Sequence, residues 1–391
     1  MILTQTTALF VDAYRELNAK KLFWLTLGLN LLVVVLYASL GINANGVTML
    51  HWTFDSDFFN TSLVSKELFY KLQFTSWGVP IWLTWATAIL ALISTAGIIP
   101  ELVSGGTIEP VLSKPIGRVR LFLTKYMTGL LFVGLQVTVF TVGCIMVMGI
   151  RGGAWEPKLL MAIPIVLAFF SYLYAFCAFV GLMTRSTIAA LLLTLLFWFA
   201  IWIVNTGDTM MLAQREGSIL KVEDSEKDIE KQITFATKRI EQLREQGKPI
   251  PGEDGEELSD GYNDSLEAVN PALRMSRERL IDAQAGAERW SGWASRVIAA
   301  KTILPKTQET VGLLERYLIS QEEIAQLMGM NDRQAEQFAN EDEPAFADPR
   351  AAERVELIMR KRSVPWILGT SFFYEGFLLL ICCVIFARRD F

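Results

Sequence analysis

Six stretches of mostly apolar residues, each near the roughly twenty needed to cross about 30 Å of hydrocarbon as a helix, constrain this chain more than anything else in it. They cover residues 22–42, 79–99, 121–150, 159–183, 187–204 and 366–386. In lipid each backbone polar group must be satisfied within the protein, and a single apolar run does this by becoming a helix. The expected fold is therefore an all-α polytopic membrane protein with six transmembrane helices. No small-residue cleavage site follows the first run, and the chain goes on to cross repeatedly, which argues against a removable signal peptide.

Composition matters here because it is split. The chain of 391 residues is 52% hydrophobic and has a mean hydropathy of +0.34, yet 20% of its residues are charged. Between Gly207 and Arg362 lie 31 acidic and 22 basic residues, a net −9, which leaves +4 for the remainder. Charge at that density needs water and the rest needs lipid. The expected division is 1–206 (an N-terminal interfacial helix and five spans), 207–362 (a charged helical domain) and 363–391 (the sixth span and a short tail).

Lysine and arginine in the short loops set the hand of the bundle. With the N-terminus cytoplasmic, the inner loops hold Arg15, Lys20, Lys21, Lys114, Arg118, Arg120, Lys125, Arg185, Arg388 and Arg389. The outer ones hold only Lys66, Lys71, Arg151 and Lys158. Both termini are then expected inside and the charged domain outside, between the fifth and sixth helices. Residues 3–18 carry a narrow stripe of Leu3, Phe10, Tyr14 and Leu17, which suits a helix lying in the inner interface or simply leading into the first span. Trp52, Phe54, Phe58 and Phe59 in the first outer loop read as interfacial anchors or as core packing of that loop.

Within 207–362, Ile219, Val222, Ile229, Ile233, Ala236, Ile240 and Leu243 step by helical intervals, and the Gly-Lys-Pro-Ile-Pro-Gly run at 247–252 ends them. A second helical stretch begins near Ser265, with a break at Asn270-Pro271, and runs toward Trp293. Together they predict an antiparallel, partly coiled-coil hairpin. A third helix over 307–327 keeps Val311, Leu314, Leu318 and Ile324 in register, and a fourth over 351–361 leads into the last span. The domain reads either as a docking or gating element for an extracytoplasmic partner or as a spacer packing on a second copy.

The loop between the second and third spans is the most informative. It runs from Pro100 through Glu101, Ser104, Gly105, Gly106, Thr107, Glu109, Leu112, Lys114 and Pro115 to Arg118. The glycine pair opens backbone angles closed to other residues, and Thr107 can cap a helix with Glu109 near its positive end. Pro115 forces Lys114 out of helical geometry and ends the element. The expectation is a short, stiff helix at the inner surface, ringed by Lys114, Arg118, Arg120 and Lys125.

At these residues the chain resembles the permease subunits of type-2 ABC exporters, which carry a Glu, then Ser-Gly-Thr, a Leu-Ser-x-Pro-Ile-x-Arg run and a following Lys in this loop. The matches are Glu101, Ser104, Gly105 or Gly106, Thr107, Leu112, Ser113, Pro115, Ile116, Arg118 and Lys125. There is one extra residue around the glycine pair, and the second acid common before Ser-Gly is missing. The resemblance covers the hydrophobic parts, not the 207–362 domain. It implies a permease subunit of an ATP-driven exporter whose loop helix docks on a separate ABC ATPase, with dimerisation to a like or related permease. The sequence holds no G-x-x-x-x-G-K-[ST] run, so no cofactor is expected on this chain, and ATP and Mg belong to the partner. The chain itself is then not an enzyme, and a bacterial inner membrane is its expected place. The alternative is a scaffold that anchors cell-envelope machinery without transport.

Isolated polar residues complete the inventory. Glu375, near the middle of the last span, is costly in lipid unless neutralised or paired. It reads as a pathway or proton site, or as glue to a neighbouring helix through Gln136 or Asn30. Cys144, Cys177, Cys382 and Cys383 all lie in apolar runs and read as packing. His51 is the only histidine and reads as an interfacial polar residue, which argues against His-based metal or acid–base chemistry. No basic stripe with interleaved aromatics indicates nucleic acid.

Overall fold

Each apolar run becomes a helix, and among the described residues six helices are long and apolar enough to cross a membrane. They are α1 (Lys21–Ser39), α2 (Lys66–Val103), α3 (Arg118–Gly152), α4 (Pro157–Thr184), α5 (Thr187–Glu245) and α10 (Pro365–Arg388). The structure is a computed structural model and describes residues 15, 21–55, 60–103, 117–251, 262–320, 323 and 348–388. The leading stripe Leu3, Phe10 and Tyr14 lies outside the described residues, as do Phe58 and Phe59. The remaining elements are β1 (Leu40–Ile42), β2 (Gly46–Met49), β3 (Trp52–Asp55), α6 (Ser265–Val269), α7 (Pro271–Ile303), α8 (Thr307–Leu318) and α9 (Pro349–Lys361).

Local chemistry sets the helix ends. Ser65 caps α2 by accepting a hydrogen bond from the Leu68 N–H at 3.1 Å, with Glu67 in the first turn. Pro80 then sits within α2, where it lacks an N–H, and the helix widens to π geometry over Phe74–Thr87. There the Thr84 hydroxyl donates to the Val79 carbonyl at 2.9 Å. Arg185 closes α4 in the left-handed region, its N–H on the Gly181 carbonyl at 2.9 Å. Ser186 then starts α5 by accepting from the Ala189 N–H at 3.3 Å. α2 therefore begins thirteen residues before the apolar run at 79–99, because Leu68, Phe69, Tyr70 and Phe74 bury one face of the added turns.

The first loop after α1 is an antiparallel meander rather than an irregular loop. β1 pairs with β2 through Leu40–Met49 and Ile42–Val47, and β2 with β3 through Gly46–Asp55 and Met49–Trp52. The Asn43 side chain accepts from the Asn45 and Gly46 N–H groups, both at 2.9 Å, and folds the first turn. Strands of three and four residues are too short to show in hydropathy, but the Asn-Ala-Asn-Gly turn was there to read. Trp52 and Phe54 project from β3 and are strongly exposed, so they do not form a core for the loop.

The chain divides into two units. The first holds Met1–Ile203, Thr302–Met330 and Arg362–Phe391. α2 and α4 lie at its centre: 72% and 78% of their most apolar windows are buried, against 22% for α5 and α10. α4 packs on α3, α8 and α10, and α1 packs on α3. A Cβ added at Gly181 would meet Pro100 Cγ at 2.9 Å, so this small residue lets the end of α2 approach α4.

This boundary differs from the expected 207–362 domain. α8 belongs to the first unit, where Val311, Leu314 and Leu318 are buried against α4 and α2. The Lys306 N–H donates to Ser371 Oγ at 2.9 Å, and Arg362 pairs with buried Glu309 at 2.7 Å. The stripe read as part of a water-facing domain finds its apolar partners among the membrane helices. Ile324 lies outside the described residues.

The second unit holds Val204–Lys301 and Asn331–Lys361. Here α5 and α7 run antiparallel, as the register of their cross-links shows. Asn270 donates to Gln232, Ser276 to Asp228, and Lys301 pairs with Asp208 at 2.8 Å with both side chains almost wholly buried. The predicted break at Asn270-Pro271 separates α6 from α7, and α5 stops at Glu245 before the predicted turn. α9 is held to α5 by bidentate pairs of Arg354 with Glu223 and Arg350 with Asp224.

Candidate functional site

One end of the first unit gathers the flanks of the loop motif. α2 delivers the chain to Val103, with Glu101 exposed in its last turn, and α3 takes it up at Arg118 after Gly117. A Cβ on Gly97 would meet Glu101 Oε1 at 2.5 Å and Thr187 at 3.6 Å, so the carboxylate lies over the Gly97 backbone beside the start of α5. The Arg118 guanidinium donates to the Ala387 carbonyl at 3.2 Å, in the last turn of α10. A cation there meets unpaired carbonyls at the negative end of the helix. Ser104, Gly105, Gly106, Thr107, Glu109, Leu112, Lys114 and Pro115 lie outside the described residues.

These contacts bring the ends of α2, α3, α4, α5 and α10 together, and with them Arg118, Arg120, Arg185 and Arg388. The opposite end carries the meander. There Arg151 donates to the Ala38 carbonyl, Tyr70 Oη donates to the Leu40 carbonyl at 2.8 Å, and Lys71 meets Glu67, Glu156 and Glu323 at 2.7, 3.6 and 3.3 Å. The arginine-rich end is thus the one that bears the loop between α2 and α3.

The intramembrane polar residues separate into two groups. Glu375 of α10 meets Tyr126 Oη of α3 at 2.9 Å and Ser171 Oγ of α4 at 2.7 Å. Gln136 of α3 lies elsewhere. It accepts from Asn30 of α1 at 2.7 Å and donates to the Phe23 carbonyl at 3.1 Å. Asn30 in turn accepts from the Trp82 indole of α2 at 2.7 Å. The expected link of Glu375 to Gln136 or Asn30 is therefore replaced by Tyr126 and Ser171. A hydroxyl in an apolar run gives no sequence signal of which helix it faces, and only packing shows it.

Glu375 is buried, as are Cys144, Cys177 and Cys382, and all four cysteines are free thiols. Their surroundings are packing contacts, with Cys382 and Phe386 part of the apolar core.

A family model described as ABC-2 family transporter protein matches residues 14–272. The match takes in α1 through α5, the loop between α2 and α3, and the start of α7. No curated protein matches the chain, and no solved structure does.

Proposed function

The chain belongs to the ABC-2 family of transporter proteins, and from that premise we propose that this permease subunit is driven by a separate ABC ATPase through the segment between α2 and α3. The single observation that carries the reading is the motif at 101–118, whose flanks Glu101 and Arg118 stand at the end of the bundle where arginines gather. The segment joins α2, at the centre of the unit, to α3, so force applied there has a stiff route inward. ATP and Mg reside on the partner.

On the same reading the arginine-rich end faces the cytoplasm of a bacterial inner membrane, both termini lie inside, and the second unit stands outside. A single six-helix subunit supplies half a pathway, so it works beside a second permease, identical or related. The second unit docks an extracytoplasmic partner or packs on its mate. A scaffold without transport is not favoured, since the matching family is one of transporter proteins.

The test is affinity purification of the tagged chain in mild detergent. The expected result is a near-stoichiometric soluble ATPase with a Walker A segment. Leu112→Asp should lose that ATPase, or lose its stimulation, while the chain still folds as judged by its elution in size-exclusion chromatography. Undiminished ATPase binding and transport in Leu112→Asp would count against docking at this loop.

A further inference from the structure

Between α2, α4, α5 and α8 the first unit holds a cavity of about 240 Å³. Its floor is apolar, made by Val79, Phe169, Trp198, Val311 and Leu314. Trp85 and Trp198 stack in its wall with ring centroids 4.6 Å apart, and Phe169 stands edge-on to Trp198 at 5.8 Å. Trp85 and Trp202, both exposed, stand at the opening. Trp198 and Trp202 close the apolar run of α5, about 20 Å along the helix from Thr187 and so remote from the arginine-rich end. Tryptophans gather at such a depth, where a membrane passes from hydrocarbon to headgroups.

Three features of the lining define the chemistry of a guest. The first is that its polar groups are already served. Thr75 donates to the Lys71 carbonyl and Thr84 to the Val79 carbonyl, both at 2.9 Å, and Thr307 and Glu315 have partners of their own. Among the described residues, no lining side chain holds a buried polar atom without a partner. The cavity therefore asks a guest for neither a hydrogen bond nor a charge. The second is size: an engineered apolar cavity of roughly 150 Å³ stays dry yet admits benzene, and this one is larger. The third is a notch in α8. Gln308, Gly312 and Glu315 share one helical face, and a Cβ added at Gly312 would meet nothing within 4 Å. Gln308 and Glu315 are exposed, so the notch is polar at its rim and apolar within.

We propose that this cavity holds one acyl chain of a bilayer lipid, which lies past Gly312 with its head left beside Gln308 and the indoles of the opening. Hydrocarbon surrounds the spans, so a lipid tail is the apolar guest within reach. α8 lies beyond residues 14–272, so the site is completed by a segment outside the family match. The inference needs the spans to lie in lipid but needs no ATPase.

The experiment uses the full chain in nanodiscs of phosphatidylcholine, a fraction of which carries a diazirine midway along one acyl chain. Light expels dinitrogen from the diazirine, the resulting carbene inserts into a bond of whatever side chain the tail touches, and peptide mass spectrometry locates the label. Leu196, 62% exposed on α5, reports bulk lipid. Trp198 and Val311, 4% and 9% exposed, are out of reach of bulk lipid and report the cavity. Label at Trp198 and Val311 should come within about threefold of that at Leu196, since each touches a chain. Gly312→Leu fills the notch and should cut the cavity label about fivefold or more while leaving Leu196 as it was. Gly312→Ala adds one methyl and should label as the wild type does. Gly312→Met, whose side chain adapts more readily, covers the case in which the leucine variant fails to fold. Label at Leu196 with none at Trp198 and Val311 overturns the proposal, as does cavity label that survives both Gly312→Leu and Gly312→Met. Loss of ATPase association in Leu112→Asp leaves these readings untouched, so failure of one proposal is distinct from failure of the other.

Discussion

Glu375 shows how much one residue can be asked to do in lipid. Two hydroxyls meet it, each shared with a backbone carbonyl: Tyr126 Oη reaches both the Ser171 carbonyl and Glu375 Oε1, and Ser171 Oγ reaches both the Ala168 carbonyl and Glu375 Oε2. Two hydroxyls bring two hydrogens to four acceptors, so a carboxyl that keeps its own proton completes the set better than a carboxylate does. That makes it a clasp between α3, α4 and α10. Glu375→Gln should therefore melt close to the wild type, whereas Glu375→Leu should lose about 1–2 kcal/mol by undoing the link between α3, α4 and α10 and leaving each hydroxyl only its backbone carbonyl. Thermal unfolding in detergent checks both, and a Gln variant as damaged as the Leu variant would mean that the acid proton has a use the amide cannot replace. The Asn30 group works in the same way, with one amide side chain tying α1 to α2 and α3.

Charge joins elements at several places, and two of them can be tested directly. Lys71 of α2 is 7% exposed at its side chain and faces Glu67, Glu156 and Glu323, so a single ammonium links α2 to the start of α4 and to the segment after α8. Lys71→Met should cost about 1–3 kcal/mol, below the roughly 3–5 for breaking a fully buried pair, since Glu67 and Glu323 remain partly in water. Lys71→Arg should keep most of it, and thermal unfolding reads the difference. At the other place, Asp264 caps α6 through the Glu267 N–H at 2.9 Å, and Arg277 of α7 donates to both Asp264 and Glu267. Burial alone would raise both carboxyls, but the backbone N–H groups and the guanidinium outweigh it and hold them below their ordinary 3.8 and 4.5. Folded values lower than unfolded ones stabilise the hairpin above pH 4.5 and release that stability as pH falls through the depressed values. Protection factors for amide exchange at 262–277, corrected for the intrinsic pH dependence of exchange, should be high at neutral pH and fall in acid, and Arg277→Met should move the onset of that fall to higher pH. Protection factors independent of pH across that window would show that the pairs contribute nothing.

At the scale of the molecule, α1, α5 and α10 turn apolar side chains outward. Leu32 and Val35 of α1, Leu192 and Leu196 of α5, and Phe373 and Leu380 of α10 are all about half exposed or more. In a membrane such a surface is covered by lipid or by another subunit. The proposed second permease would take one of these faces. Single cysteines at Leu192, Leu196 and Leu380, oxidised in membranes, should give a dimer band from one helix and not the others. Of the native thiols Cys144, Cys177 and Cys382 are buried, and half-buried Cys383 is replaced by serine in the background chain. No band from any of the three would count against a second copy lying along these helices.

Hydropathy alone determined the six spans, because a backbone in lipid has no water to fall back on and must close its own hydrogen bonds. Helical stepping and the Gly-Pro turn at 247–252 determined the hairpin of the second unit, because exposed helices write their buried stripe into the sequence. The motif at 101–118 pointed to the family before any fold was known, since its residues are set by local backbone geometry and charge. Tertiary structure alone decided the rest. A stripe such as Val311, Leu314 and Leu318 says that a face is buried but not against what, so only the fold put α8 among the membrane helices. Tyr126 and Ser171 became partners of Glu375, and Trp85 and Trp198 became a cavity wall, through side chains 45 to 249 residues apart. Hydrophobicity is non-directional, and which faces meet is settled only when the helices pack.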